Sequence, residues 1–337
     1  MSRRALLVGY KLEQPSFRYR MQALVAPLAA AGWEVRCEPL PARRYGLRTW
    51  ERRALWRAAD VVVLQQIKLS APEAWLLARL ARHAVFDLDD AIYVRKPRGL
   101  GLPAQDSRWR RAKFRATCRA MDVVVVGNEA LAQVARAAAR EVVVLPTALD
   151  PGRYRLTRTG VDTPPTVVWI GSPENLVYLE LVRPALARLA ARLPGLRLRV
   201  VCSAFPDWPE IEVERVPWSP ASEVEALATA HVGVMPLSDD EWSRGKCAFK
   251  LLQYMAAGLP CVASPVGANA AAVLDGVSGF HAADAAGWEA ALARLFDSPA
   301  MRAEFGAAGR AHLERNYSLA SYAACYLALL TRIADRP

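Results

Sequence analysis

Three groups of residues have the types and spacing to do chemistry. The first is Ser243-Arg244-Gly245-Lys246-Cys247, with Lys250 four residues after Lys246 and Gln253 three further on. It follows a strand-like stretch, Val232 to Pro236, and enters a helix-like stretch, Ala248 to Ala257, closed by Gly258. A helix amino terminus carries unpaired N–H groups and the positive end of a dipole. Arg244, Gly245 and Lys246 are expected at that end, with Lys250 on the same face as Lys246. N–H donors, a bidentate guanidinium and two point charges suit a diphosphate. The amide of Gln253 is then within reach of a ribose hydroxyl. A solvated basic helix start is the plainer alternative.

The second group, Gly171-Ser172-Pro173-Glu174-Asn175, lies between a strand-like and a helix-like stretch. Gly171, Ser172 and Asn175 can touch donor phosphates; a helix-cap role explains the same residues. The third group is acidic. Asp87, Asp89 and Asp90 cluster at the carboxyl end of a strand, where α/β sheets place ligands. They can orient an acceptor hydroxyl, act as a base, bind a metal or cap the next segment. Gly9, Arg18 and Arg20 form a candidate second rim, because glycine permits close approach and arginine suits an anion. His83, His231, His281 and His312 stand alone, and no two of the six cysteines have metal or redox spacing. No metal and no other cofactor is therefore expected.

These residues need elements to hold them. The 337 residues suit two domains. Strand-like runs (Ala5 to Gly9, Val35 to Leu40, Asp60 to Gln65, Ala84 to Leu88, Asp122 to Val126, Val142 to Leu145) alternate with helix-like ones such as Arg20 to Ala31 and Ser107 to Ala120. Short β-branched runs between helices imply an α/β fold with parallel sheets covered on both faces. Pro146 to Pro165 lacks an apolar period and reads as a linker. The alternation then restarts at Thr166 to Ile170, followed by a helix-like Tyr178 to Arg192. The expectation is two Rossmann-like domains, 1–150 and 151–318, with sheets facing a central cleft. A last helix, Leu319 to Ala334, is expected to pack back on the first domain.

The net charge of +11 is uneven: residues 1–150 carry +12 and the remainder −1. An anionic partner for the first domain is one reading, and arginines on solvated faces the other. Two basic stretches carry aromatic residues: Arg48 to Arg57 with Trp50 and Trp56, and Arg108 to Arg119 with Trp109 and Phe114. Such stretches can rest on an anionic membrane surface or simply cover a sheet. No nucleic-acid recognition motif accompanies the charge, so that partner class is not expected. No export signal or membrane-length apolar run is visible, so a cytoplasmic protein, peripheral on the inner membrane face at most, is expected.

At this point a resemblance is clear. The run Gly245-Lys-Cys-Ala-Phe-Lys-Leu-Leu-Gln-Tyr-Met-Ala-Ala-Gly-Leu-Pro-Cys-Val-Ala-Ser-Pro-Val-Gly267, then Asp275-Gly-Val-Ser-Gly-Phe280, resembles family four (group 1) glycosyltransferases with the GT-B fold. Val232-Gly-Val-Met-Pro-Leu237 and Leu313-Glu-Arg-Asn-Tyr-Ser-Leu319 extend it. Ser16-Phe-Arg-Tyr-Arg20, Phe86-Asp-Leu-Asp-Asp90, Val126-Gly-Asn128 and Pro146-Thr147 are similar more loosely.

The resemblance implies a retaining transferase. Its nucleotide-sugar donor would bind the second domain, with Trp218 near the base or in the core. A glycan, lipid-linked or small acceptor would meet the first domain, Asn128 included. Arg244 and Lys250 are the chief expected stabilisers of the leaving diphosphate, with Lys246 third. The family often has two glutamates eight positions apart, one contacting the donor sugar and one the ribose. Here those positions are Gly245 and Gln253. A sugar-nucleotide epimerase and a non-catalytic sugar-nucleotide or glycan binder are the alternatives.

Overall fold

The structure, a computed structural model, describes residues 2–40, 50–156 and 164–336. Within them lie two parallel six-stranded sheets. The first joins β1 (Arg3–Gly9), β2 (Trp33–Pro39), β3 (Val61–Gln65), β4 (Ala84–Leu88), β5 (Val123–Val126) and β6 (Val142–Val144) in the order β2-β1-β3-β4-β5-β6. The second joins β7 (Thr166–Ile170), β8 (Arg197–Cys202), β9 (Glu212–Pro217), β10 (Val232–Met235), β11 (Cys261–Ala263) and β12 (Gly279–His281) in the order β12-β11-β10-β7-β8-β9. Every residue of β3, β4, β5 and β7 is buried, as continuous β-branched runs covered on both faces require. The strand order reverses between β1 and β3 and between β7 and β10. Loops leaving the carboxyl ends there open a crevice, the usual ligand position in such sheets.

The first sheet's core extends to the far end of the sequence. Tyr322, Tyr326, Leu330 and Ile333 of the helix Leu319–Ala334 pack with Leu7, Val61 and Val63. Burying each of these large side chains contributes about 1.5–3 kcal/mol. The chain returns through a bridge in which Leu149 N–H donates to Tyr317 O at 3.0 Å and Leu319 N–H to Leu149 O at 3.0 Å.

Three expected segments differ. The helix expected from Arg20 to Ala31 is two pieces, Pro15–Arg20 and Val25–Ala30, joined by a tight turn. Pro27 has no N–H to bond back along a continuous helix, so the second piece starts just before it. The stretch Tyr178 to Arg192 begins as a tighter helix, Pro173–Leu181, and becomes α-helical only at Arg183–Arg192, where Pro184 sits in the first turn. In the expected linker, Ala148, Leu149 and Tyr154 are buried, and residues 157–163 lie outside the described residues. Of the two basic stretches, Trp56 and Phe114 are core residues, Trp50 and Trp109 are exposed, and Arg48 lies outside the described residues.

Candidate active site

A cavity of about 470 Å³ lies between the carboxyl edges of the two sheets. Its second-domain wall is the segment read above as one basic helix start. The structure divides it. A short helix, Glu241–Arg244, is capped by Asp240, whose Oδ1 accepts from Trp242 N–H and Ser243 N–H. The chain then breaks, and a second helix, Phe249–Ala256, begins after Ala248. Ala248 has a left-handed backbone, φ 54°, which costs a non-glycine residue about 1–2 kcal/mol. Among the described residues no side chain caps this second start, and Ala248, Phe249 and Lys250 line the cavity. The helix start that presents free N–H groups to the cavity is therefore at Phe249 and not at Arg244.

This break redistributes the expected residues. Lys250 and Lys246 line the cavity, and neither forms an ion pair among the described residues. Burial, then the nearby Lys246 charge, pushes the Lys250 ammonium down to about 7. The Lys246 ammonium donates to Asn175 Oδ1 at 3.5 Å and lies 6.0 Å from the Tyr178 ring centroid. Lys96, from the first domain, lies 5.8 Å from the same centroid. Gly171 and Ser172 line the cavity beside them, and a Cβ on Gly171 would strike the Trp169 ring and come within 3.0 Å of the Lys250 stem. Arg244 is outside: its exposed guanidinium pairs with Asp239 at 2.6 and 3.0 Å. Ser243 is buried, its hydroxyl bound to Asp240 and Tyr178. Gly245 is also outside, under the first domain, where a Cβ would sit 2.6 Å from Ala91 Cβ and 2.8 Å from Ala91 N.

The far end of the cavity holds a hydrogen-bond chain. The Gln253 amide donates to the Tyr154 hydroxyl at 3.2 Å, and Tyr154 donates to Glu223 Oε1 at 2.7 Å. Trp218 Nε1–H donates to Glu223 Oε2 at 2.8 Å. Trp218 is 44% exposed, so it is an edge and not a core residue. Glu223 and Tyr154 escaped the sequence reading. An acid in the first turn of a helix reads as dipole compensation, and Tyr154 lay in the apparent linker.

The first-domain wall brings Ser16, Arg18, Tyr19, Asp89 and Asp90 to the cavity. Tyr19 meets Phe249 of the opposite wall at 4.1 Å between ring centroids. Asp89 accepts from Gln66 Nε2 at 2.5 Å, Ser16 Oγ at 2.9 Å and Gln65 Nε2 at 3.3 Å. Burial, with the neighbouring Asp90 charge, pushes its carboxyl up to about 7, against the pull of Arg20. Burial also raises Asp90, opposed by Lys246 and Lys250. Gln66, like Ala248, has positive φ (60°), and they are the two non-glycine residues that do so among the described residues. Strain of this kind concentrates at functional sites.

Four expected rim residues lie elsewhere. Arg20 and Asp87 are fully buried and bind each other through two 2.7 Å contacts. Arg20 also donates to Leu145 O and Thr147 Oγ1, and Tyr326 donates to Asp87. A charge pair this dry needs such partners, which leaves neither residue for a ligand. Gly9 packs under Phe17, whose ring occupies the space a Cβ would take. Asn128 caps the helix Glu129–Arg136 through Leu131 N–H, while its Nδ2 donates to Arg244 O at 3.2 Å and Lys246 O at 2.9 Å. Cys247, expected at the donor, borders the cavity with its thiol donating to Asp89 O at 3.1 Å. The Asn128 and Cys247 contacts pin the lysine loop to the first domain. Among the described residues no group of three or more His, Cys, Asp or Glu is placed to hold a metal.

Two parallel sheets facing each other across a ligand-sized cleft define the GT-B fold. Solved structures of that fold superpose on nearly the whole chain. A sucrose-phosphate synthase from Thermosynechococcus elongatus matches with a TM-score of 0.73 at 15% identity, covering 98% of this chain and 99% of that one. A glycosyltransferase from Rickettsia africae matches with a TM-score of 0.75 at 10% identity, covering 99% of both. HepE of Anabaena, in complex with UDP-glucose, matches with a TM-score of 0.70 at 11% identity, covering 97% and 99%. No curated protein sequence matches the chain. Residues 164–298 match the family model of group 1 glycosyl transferases. That match lies wholly within the second domain, which is thus similar to the group 1 glycosyl transferases.

Proposed function

We propose that the protein transfers a sugar, with retention, from a nucleoside diphosphate sugar to a hydroxyl of a glycan, lipid-linked or small acceptor. The observation that carries this is the helix start at Phe249, which no described side chain caps, flanked in one cavity by two lysines that form no ion pair among the described residues. The diphosphate would lie there, with the nucleoside toward Trp218, Glu223 and Gln253. Breaking the bond from the anomeric carbon to the diphosphate oxygen leaves charge on the phosphate. Lys246, Lys250 and the helix N–H groups offset that charge as it develops. The acceptor oxygen bonds to the anomeric carbon, and its proton passes to the leaving phosphate or to Asp89. Positive charge comes from the chain itself, so turnover is expected to survive EDTA.

A UDP-type donor is the first candidate, GDP the second; HepE, of the same fold, is described with UDP-glucose. An anionic membrane surface is a candidate partner of the first domain, supported by Trp109 at 82% and Trp75 at 59% exposure among arginines. No described helix is long and apolar enough to cross a membrane.

The test is a thermal-shift series with UDP-, GDP-, ADP- and CMP-sugars, followed by donor hydrolysis and transfer. A ligand at one hundred times its Kd stabilises by about 2.7 kcal/mol. A shift with one nucleotide class and release of its nucleoside diphosphate support the proposal. No shift and no release from any donor overturn it.

A further inference from the structure

The two adjacent carboxylates of the cavity are not equivalent. Asp89 is engaged by three side-chain donors of its own domain, Gln66, Ser16 and Gln65. Among the described residues the Asp90 carboxylate has one long hydrogen bond, from Gln66 Nε2 to Oδ2 at 3.5 Å. Its remaining acceptor capacity faces the cavity, in the field of Lys246 and Lys250.

The position of Asp90 is fixed from both sides. Ala91, the next residue, rests on Gly245 so closely that any side chain at 245 would collide with it. The Cys247 thiol donates to the carbonyl of Asp89, and Asn128 holds the carbonyls of Arg244 and Lys246. The loop carrying the lysines and the loop carrying Asp90 are thus one docked unit.

We infer that Asp90 reads the hydroxyls of the donor sugar, a specificity role supplied by the first domain. This rests on the proposed donor reading. A diphosphate seated at the Phe249 helix start would satisfy both lysines. A carboxylate beside it repels phosphoryl oxygens and can accept only from hydrogen donors. The hydroxyl-bearing group bonded directly to a nucleoside diphosphate is the sugar. Asp89, already engaged, positions its neighbour through the shared Gln66 amide.

The experiment compares wild type, Asp90→Asn and Asp90→Glu. The probes are whichever of UDP, GDP and ADP the wild type binds, its glucose conjugate, and an epimeric conjugate. Calorimetry gives affinities, hydrolysis gives turnover, and melting curves verify folding. Asp90→Asn should bind the free nucleoside diphosphate within twofold of wild type, or more tightly. Its extra affinity for the sugar conjugate should fall about tenfold or more, the scale of a hydrogen bond to a charged group. The preference between epimers should collapse toward one. Asp90→Glu should alter that preference while keeping nucleotide affinity. An unchanged epimer preference in both variants overturns the inference and leaves the donor reading intact, including the case where only the acceptor KM moves. Absence of nucleotide binding in wild type overturns both.

Discussion

In the first domain, behind the cleft wall, Arg20 and Asp87 answer each other in a fully buried pair, and on the wall Asp89 is held by three neutral donors. On the second-domain wall, Lys246 and Lys250 face the same cavity with no ion-pair partner among the described residues. Burial alone therefore does not mark a functional charge. Matched buried charges hold the architecture, and an unmatched cation at the cavity wall is left for something that comes from outside. Arg20 and Lys250 are the sharpest contrast, since residue type and sequence context made both look like ligand-binding cations.

The largest effect should come from the matched pair. Arg20→Met strands Asp87 without its cation and is expected to cost about 3–5 kcal/mol of folding stability, measured by urea unfolding. Arg20→Met with Asp87→Leu should recover much of that loss. A single variant as stable as wild type would erase the contrast.

Lys250→Met should invert this result. Its kcat/KM should fall about 10²–10³-fold, as for loss of one transition-state donor. Its melting temperature should hold or rise, because an unpaired, desolvated cation has gone. A drop in stability with normal turnover would make Lys250 structural.

The pH dependence sharpens the same point. The Lys250 ammonium of the free enzyme, held at about 7, deprotonates as pH rises through that value. The kcat/KM should decline on that alkaline side, and Lys250→Arg should remove the decline, since a guanidinium stays charged. Stability follows from the linkage sign. A depressed lysine contributes stability above its unfolded value, and that contribution is lost as pH falls through about 7. The stability advantage of Lys250→Met should therefore grow at lower pH. Asp89, raised to about 7, works oppositely: its contribution is complete below the ordinary carboxylate range and lost as pH rises through about 7.

A smaller change is expected at the junction of the walls. Asn128→Ala removes a helix cap and two bonds to the lysine loop, and should cost about 1–2 kcal/mol by thermal unfolding. The smallest should be Arg244→Ala, which removes an exposed pair with Asp239 worth about 1 kcal/mol or less. Its turnover should change less than about twofold. A loss comparable to Lys250→Met would restore Arg244 to the site.

The strands were legible because β-branched runs such as Val61–Gln65 and Thr166–Ile170 have one stable use in a sheet covered on both faces. Lys246, Lys250, Gly171 and Gln253 were legible because they sit on local elements at the carboxyl edge of the second sheet. Arg20 was not, because its partners Asp87, Leu145 and Thr147 come from distant segments. The break at Ala248 was hidden as well. Nothing about alanine announces a left-handed backbone, which tertiary packing imposes here. Glu223 reads as a surface acid until Tyr154 is seen to cover it from 69 residues away.

The helix Leu319–Ala334 carries a consequence for synthesis. Its Tyr322 and Tyr326 complete the surroundings of Arg20 and Asp87, and its apolar face closes the core of the first sheet. The domain translated first is thus finished last. Until residues 319–334 leave the ribosome, the sheet beginning at Arg3 waits with one face only partly covered, while the second domain has every strand of its own sheet in hand. A nascent chain halted before Leu319 should expose the uncovered part of that face to chaperones, although every residue named as lining the cavity has already been made.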